Sequence, residues 1–582
     1  MIDHALELLR FAGAIAVLAL PGVLALGLLA PAASVLERWV LGTTAGLAAA
    51  VFLAFVLAYA KLALFYPAWA IVAGSLLVAS WRRSKPRPTL FARPAGAVAI
   101  LTVVLAIVAA TRFGVTFWDE LPPGWDPCFH LILAKKLALS GRMIFDWEPF
   151  ENIPLNYPLG SHVLVAIVAA IARIPLHAAF KLLIPACGVL TTALVYLFGS
   201  RVGGRDEVGA FAALAYGMWA VYGSIDIYRW GGLPNALAMA FLLAVLVVIA
   251  ASPPVTPPRG LSAILLAALT LTHHHVMLVA GFVLLCLGGF YVATGRRERA
   301  LHRVLLPAAC AAVLGSFYLV PYALKAATLG ATGVLSFDEP LFTPALIASS
   351  LGFVFIAAAG VGFVVSLKSR GGELGTLHAS SAALLFLFVM FEYVYRLISG
   401  ATTGSAHVAF TPSRFLTDLA YFLAVYAGLA IVWAKDRLRL RPLTTLVACL
   451  ALASTTIPAW KAHDGEGDPT PLFRAFQWIE RNTPTDALVM NQHPWAVYGS
   501  WRRCAATPVP VSEPSREGTP KSLLLQAISR GVVPDEARGS MIVQAGAFKG
   551  REVPWPVLWS DPGGVSVVER WHGTGEGTNG PR

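Results

Sequence analysis

Two groups of polar side chains stand out against long apolar runs. The first is Trp118-Asp119-Glu120, then Gly124-Trp125-Asp126-Pro127-Cys128-Phe129-His130, and finally Asn156-Tyr157-Pro158-Leu159-Gly160. Carboxylates beside apolar spans are costly and need a reason to be there; they can take a proton or help hold a cation. From Pro127 to Ser140 the spacing is helical, with Phe129, Leu133 and Leu137 on one face and His130 and Ala134 one turn apart. Asp126-Pro127 suits the start of that helix, Asp as N-cap and Pro at N1, so a capping role stands beside a chemical one. The second group is His273-His274-His275 at the end of an apolar run. Successive helical residues point about 100° apart, so the three chelate one ion only where the helix unwinds; polar interfacial contacts or a lipid phosphate are the other readings. Glu392 and Arg396 are i,i+4 neighbours in an apolar run and are expected to neutralise one another.

The elements that position these groups are apolar helices. The chain has 582 residues, 57% hydrophobic and 13% charged, where a soluble domain carries about 25% charged residues. Its 39 Pro and 51 Gly are spread among the apolar runs. This excludes a soluble enzyme, a disordered chain and a fibrous protein, and predicts a polytopic α-helical membrane protein. Runs near the roughly 20 residues a span needs occur at 8–30, 39–60, 62–80, 96–112, 179–198, 207–222, 235–251, 261–273, 275–293, 304–321, 344–367, 379–398, 415–433 and 442–459, about fourteen in all. The first is long enough to remain in the bilayer, and no cleavable signal peptide is evident. Four of the six cysteines lie in apolar runs; only Cys128 and Cys504 fall in polar segments, where a bridge is one reading.

The formal net charge of +12 clusters at span ends, which reads as membrane orientation with no nucleic-acid partner. The basic loops Arg82/Arg83/Lys85/Arg87, Arg296/Arg297/Arg299/Arg303, Lys368/Arg370 and Lys435/Arg437/Arg439/Arg441 then belong to the cytoplasm. All four share that side if the short stretch 160–173 lies along or dips into the outer interface. Left outside are 113–159, 223–234, 322–343, 399–414 and the tail. Loop 113–159 holds Asp119, Glu120, Asp126, Asp146, Glu148 and Glu151 against Lys135, Lys136 and Arg142. The expected organisation is a transmembrane domain over 1–460 with an external loop 113–159, and a small extracytoplasmic α/β domain over 461–582. The latter is read from a helix over 471–482 and β-like runs at 487–490, 541–543 and 565–568.

The run Asp126-Pro127-x-Phe129…Ala134…Leu137…Gly141…Phe145…Trp147…Tyr157-Pro158-Leu159-Gly160 resembles the first external loop of oligosaccharyltransferase catalytic subunits. The spacing Asp126, His130, Ala134, Gly141 is similar to the Asp-Glu-x-x-Tyr-x-x-x-Ala loop of protein O-mannosyltransferases and aminoarabinose transferases, with Pro127 where those loops have Glu. Both belong to the GT-C superfamily of integral-membrane glycosyltransferases. Tyr222-Gly223-Ser224-Ile225-Asp226 with Asn235-Ala236 resembles the second external loop of oligosaccharyltransferases, and Ser336-Phe337-Asp338-Glu339 their Ser-x-x-Glu motif. Arg414-Phe415 sits where that family has an arginine facing the donor diphosphate. The likeness spans roughly 96–433. The tail has Asn491-Gln492-His493-Pro494-Trp495 in the region of the Trp-Trp-Asp-Tyr-Gly acceptor motif, so transfer to asparagine is not expected.

The resemblance implies a GT-C-like fold, a catalytic Asp126 and a sugar donor carried on a polyprenyl phosphate. Moving a sugar to a hydroxyl needs a carboxylate to take the acceptor's proton and positive charge opposite the departing phosphate. The expected roles are Asp126 as base, Arg414, His273 and His274 on the donor phosphate, and Asp226 and Glu339 as ligands of a divalent cation, magnesium or manganese. Asp119, Glu120, His130, Tyr157 and Trp230 would line the substrate. Other readings stay open: Asp226 paired with Arg229, Asp338 and Glu339 as a solvated turn, Arg414 as an interfacial anchor, Trp230 as a belt tryptophan. The expected activity is an inverting membrane glycosyltransferase of the cell envelope, its site on the extracytoplasmic face and its acceptor a glycan, polymer or protein. The rivals are a transporter or flippase of lipid-linked saccharide, and a non-catalytic assembly subunit.

Overall fold

Long apolar runs become helices because a bilayer offers backbone N–H and C=O groups no partners but each other. The computed structural model describes residues 2–31, 33–82, 95–116, 120–124, 126–150, 155, 157–251, 259–329, 336–339, 342–368, 373–394, 404–407, 412–453, 470–483, 488–490, 495–501, 503–504, 540–544, 557–560 and 566–569. Among these residues, nine helices are long and apolar enough to cross a membrane: His4–Leu29, Val35–Ala58, Leu62–Arg82, Gly96–Gly114, Leu176–Gly203, His274–Ala293, Arg297–Leu324, Leu374–Val394 and Pro412–Arg437. A tenth span forms if Pro344–Leu351 and Phe353–Lys368, bent by 101°, count together.

The other segments of the expected fourteen are shorter or broken. Leu233–Ile249 is 17 residues and wholly buried, as a helix apolar on every side must be. Arg259–Thr272 has 14 residues and Pro442–Ala453 has 12. The run at 207–222 starts as the helix Asp206–Leu214 and then breaks into the π turns Ala215–Trp219 and Val221–Ile225. Such a break frees carbonyls that need donors. The buried Arg112 supplies them, Nη2 donating to Gly217 O at 2.5 Å and Ser224 Oγ at 2.9 Å, while Tyr216 OH donates to Gly223 O at 2.6 Å. The stretch expected along the interface, 160–173, is the helix Gly160–Ala172, buried at almost every position and packed among other helices. At the centre stand Leu176–Gly203 and Pro412–Arg437, 78% and 89% buried along their apolar windows, whereas Leu62–Arg82 at the rim is 17% buried.

Two small sheets complete the described chain. Strands β1 (Ser336–Glu339) and β2 (Gly404–His407) pair antiparallel, Ser336 opposite His407 and Glu339 opposite Gly404. They tie the segment before residue 343 to the one that leads into Arg414. In the tail, β3 (Leu488–Met490), β4 (Arg503–Cys504), β5 (Ser540–Gln544), β6 (Val557–Ser560) and β7 (Ser566–Glu569) form one sheet in the order β4-β3-β5-β7-β6. There β3 runs parallel to β4 and β5, and β7 antiparallel to β5 and β6. The helices Thr470–Asn482 and Trp495–Ser500 accompany it. The tail docks on the loop helix through Lys135, whose Nζ lies 2.6 Å from Glu480 Oε1 and 4.7 Å from the Trp501 ring centre. Cys128 is buried, and the side chain of Cys504 lies outside the described residues.

Candidate functional site

The site is assembled where four helix ends meet. The helix Asp126–Ser140 begins at Asp126, so its carboxylate lies at the positive end of the helix dipole. One turn on, His130 shares its face, and His130 Nε2 lies 3.1 Å from Asp126 Oδ2. The Asp126 side chain keeps 36% of its surface exposed while that of His130 keeps 7%. His130 Nδ1 in turn lies 2.9 Å from Nε2 of the buried His162.

Tyr157 packs over this pair and joins it to the histidine run. Its ring centre is 5.4 Å from His130, 5.7 Å from His162, 5.3 Å from His274 and 6.2 Å from His273. The apolar run 261–293 does not continue as one helix through the histidines. It breaks at His273, which is extended and caps the next helix by accepting from Val276 N through Nδ1 at 3.4 Å. The unwinding lets the His273 and His274 rings stack at 5.1 Å. His275 turns the other way, its Nε2 2.9 Å from Asp418 Oδ2, both side chains fully buried.

Asp418 lies four residues after Arg414 on the helix Pro412–Arg437, hence on the same face. The guanidinium of Arg414 stacks over the Trp230 ring at 5.6 Å, and its charge reaches Asp126 and Tyr157. Trp230 is held beside Asp126 by its neighbour Gly231. This residue has φ +76°, and a Cβ there would fall 2.2 Å from Pro127 Cγ and 2.9 Å from Pro123 O. Only a glycine lets the second loop touch the start of the Asp126 helix.

These neighbours set the protonation of the site. Burial works against ionisation of Asp126, and the attraction of His130, then Arg414 and His274, outweighs it and holds the carboxyl below its usual range. Burial first and the Asp126 charge second push the Tyr157 phenol above its ordinary value, so it stays neutral. Burial likewise raises the Cys128 thiol, which makes it inert. The result is an ionised, half-open carboxylate facing an arginine and imidazoles. Such a set can take a proton and can face an anion.

Of the residues singled out in the sequence, Asp126, His130, Tyr157, Trp230, His273, His274 and Arg414 come together. Asp226 stands, partly buried, just before the short helix Ile227–Trp230. Glu120 turns away: its carboxylate lies 3.7 Å from Arg474 Nη2 of the tail and its carbonyl accepts from Lys181 Nζ at 3.3 Å. Asp119, Arg396 and the side chains of Arg229, Asp338 and Glu339 lie outside the described residues. Glu392, expected to pair with Arg396, accepts from the Phe342 backbone N–H through Oε1 at 2.6 Å. Among the described residues, no three His, Cys, Asp or Glu side chains gather as a metal site. Sequence reasoning passed over His162 and Asp418. Both signals were available, since each is a polar residue inside an apolar run.

No protein-family model and no curated protein matches the chain. Solved structures do. The archaeal oligosaccharyltransferase AglB from Archaeoglobus fulgidus, in complex with an inhibitory peptide and a dolichol-phosphate, is 14% identical at a TM-score of 0.53, over 77% of this chain and 69% of that one. ArnT from Cupriavidus metallidurans in the apo state is 12% identical at a TM-score of 0.54, over 82% of this chain and 98% of that one. The same ArnT bound to undecaprenyl phosphate gives 12% and 0.51 over 81% and 97%. The fold of this chain is the one these structures share. At such identities the likeness concerns the fold, and the chemistry must come from the site.

Proposed function

We propose that the chain is an inverting membrane glycosyltransferase that moves a sugar from a polyprenyl-phosphate donor to an acceptor hydroxyl on the extracytoplasmic face. One observation carries the reading: the half-open Asp126 carboxylate is ringed by His130, His274 and the Trp230-stacked Arg414. In this mechanism the acceptor oxygen attacks the anomeric carbon as the bond to the phosphate oxygen breaks. The electron pair leaves with the phosphate, and Asp126 takes the acceptor's proton. Arg414 balances the charge growing on the phosphate, and His273 and His274 offer further donors to it. Single displacement inverts the anomeric centre.

The donors of both comparison proteins' class support the lipid carrier: AglB holds dolichol-phosphate and ArnT undecaprenyl phosphate. Beside Tyr157 an aromatic cavity bordered by Phe55, Tyr59, Tyr318 and Tyr322 offers an apolar wall for the first prenyl units. The tail, residues 461–582, is proposed as an extracytoplasmic α/β domain that covers the acceptor side through Lys135 and Glu480. A divalent cation, magnesium or manganese, would fall to Asp226 and Glu339.

The test is transfer by purified protein in nanodiscs from a labelled polyprenyl-phosphate sugar to envelope acceptors, read as labelled product with release of free polyprenyl phosphate. Uptake of lipid-linked saccharide into liposomes without acceptor, and no product, would establish the transporter or flippase instead. A variant with alanine at Asp126, Asp226 and Glu339 that still complements a deletion strain would establish a non-catalytic assembly subunit.

A further inference from the structure

Arg112 joins parts of the site that are far apart in sequence. It lies near the end of the helix Ala95–Thr116, which leads into the loop carrying Asp126. Its side chain reaches a different segment, the interrupted run 215–225. One nitrogen, Nη2, donates to Gly217 O at 2.5 Å and to Ser224 Oγ at 2.9 Å, so a single group bridges both π turns. Nη1 donates to Thr111 Oγ1 on its own helix at 3.0 Å. A guanidinium keeps its charge and only donates, so these bonds run one way.

Two close approaches frame the same junction. Gly217 packs on Val108, one turn before Arg112, where a Cβ would fall 2.7 Å from Val108 Cγ2. Gly223, at φ +88°, packs on the helix Pro412–Arg437, where a Cβ would fall 2.6 Å from Thr417 O. Thr417 follows Arg414 by about one turn, on the same face. Beyond Ser224 the chain passes through the short helix Ile227–Trp230 to the ring that lies under Arg414. Three elements therefore meet around Arg112: the stem of the Asp126 loop, the stem of the Trp230 loop and the start of the Arg414 helix. Arg112 is 1% exposed. A charge so deep in an apolar bundle is costly and marks a functional position. A neutral donor is enough to satisfy a freed carbonyl, as Tyr216 OH does for Gly223 O.

We propose that Arg112 is a positioning residue for the donor. By fixing the interrupted run against its own helix, it sets Trp230 under Arg414 and so aims the Arg414 guanidinium at the donor phosphate. Arg112 is too buried to face the donor and acts through Ser224 and Trp230. The effect on the donor rests on the transferase reading; the junction itself follows from the geometry.

The test uses two mild variants in nanodiscs. Ser224→Ala removes one acceptor and leaves Gly217 O, and Arg112→Lys keeps the charge without the forked donor. The control, Glu37→Gln, weakens the ion pair with Arg201 at the end of the helix Leu176–Gly203 remote from Phe180 and His130. Tryptophans are replaced by fluorotryptophan. The Trp230 fluorine signal is assigned by its loss in Trp230→Phe, and its unstacked position is taken from Arg414→Ala. Both test variants are expected to move the Trp230 signal toward that position and to weaken binding of undecaprenyl phosphate about 3–30-fold. Glu37→Gln is expected to lower Tm with the signal and the binding unchanged. A Trp230 signal unmoved in both test variants overturns the proposal. So does an equal shift in Glu37→Gln, or a moved signal with undiminished binding. A wild type that binds undecaprenyl phosphate and shows these responses but transfers no sugar refutes the transferase reading and leaves the role of Arg112 standing.

Discussion

Replacing Asp126 with Asn isolates the proposed base from everything else the residue does. The amide oxygen can still accept from His130 Nε2, the contact that is 3.1 Å in the structure, so the helix start and the histidine chain keep their geometry. Exchanging a charge-assisted bond for a neutral one costs about 1 kcal/mol of stability, too little to unfold the chain. Removing the negative charge also leaves Arg414 and the histidines more free for the donor phosphate, so donor KM should not rise. What the amide cannot do is take a proton. General-base loss is worth about 10²–10⁴-fold, or about 3–5 kcal/mol of barrier. The assay is single-turnover transfer from labelled lipid-linked sugar, with thermal unfolding of the same preparation as the control. Undiminished transfer by a folded Asp126→Asn protein would falsify the assignment of the base, whatever the fold.

Because Asp126 is held below the ordinary 3.8 of an aspartate, its base form is complete at neutral pH and is lost only as pH falls through that lowered value. The acid limb of kcat/KM should therefore lie below the usual carboxylate range, and a limb centred above about pH 5 would contradict the geometry. Gly231→Ala would force a Cβ to within 2.2 Å of Pro127 at φ +76°; a stability loss of about 1–3 kcal/mol with reduced turnover is expected in a melt and transfer assay. Asp418→Ala strips the hydrogen-bond partner from the buried His275 and should cost about 1–3 kcal/mol, read as a lowered Tm in detergent. Transfer should survive EDTA, since Arg414 supplies the positive charge; loss that manganese or magnesium restores would instead place a cation at Asp226 and Glu339.

Membrane character and the helix starting at Asp126 both follow from local composition and spacing. Apolar length decides whether a helix can span, and a Pro after an Asp starts a helix whatever it later packs against. These properties are carried by neighbours in the chain, so the order of residues suffices. Span counting was less secure where a helix is interrupted. The run 207–222 reads as continuous in hydropathy, yet the buried Arg112 pays for two π turns there by satisfying Gly217 and Ser224.

Which polar groups meet was decided by the fold. Arg414 reaches Trp230 and Asp126 only because helices far apart in sequence end at one place. Glu120, expected to line the substrate, is drawn to Arg474 of the tail instead. His162 and Asp418 sit in apolar runs where nothing local names a partner, and their partners, His130 and His275, lie 32 and 143 residues away. Periodicity reports a helix's faces but not what each face is turned toward. Pairing across the bundle depends on crossing, on broken helices and on close approach at Gly231, and these arise when the whole chain packs.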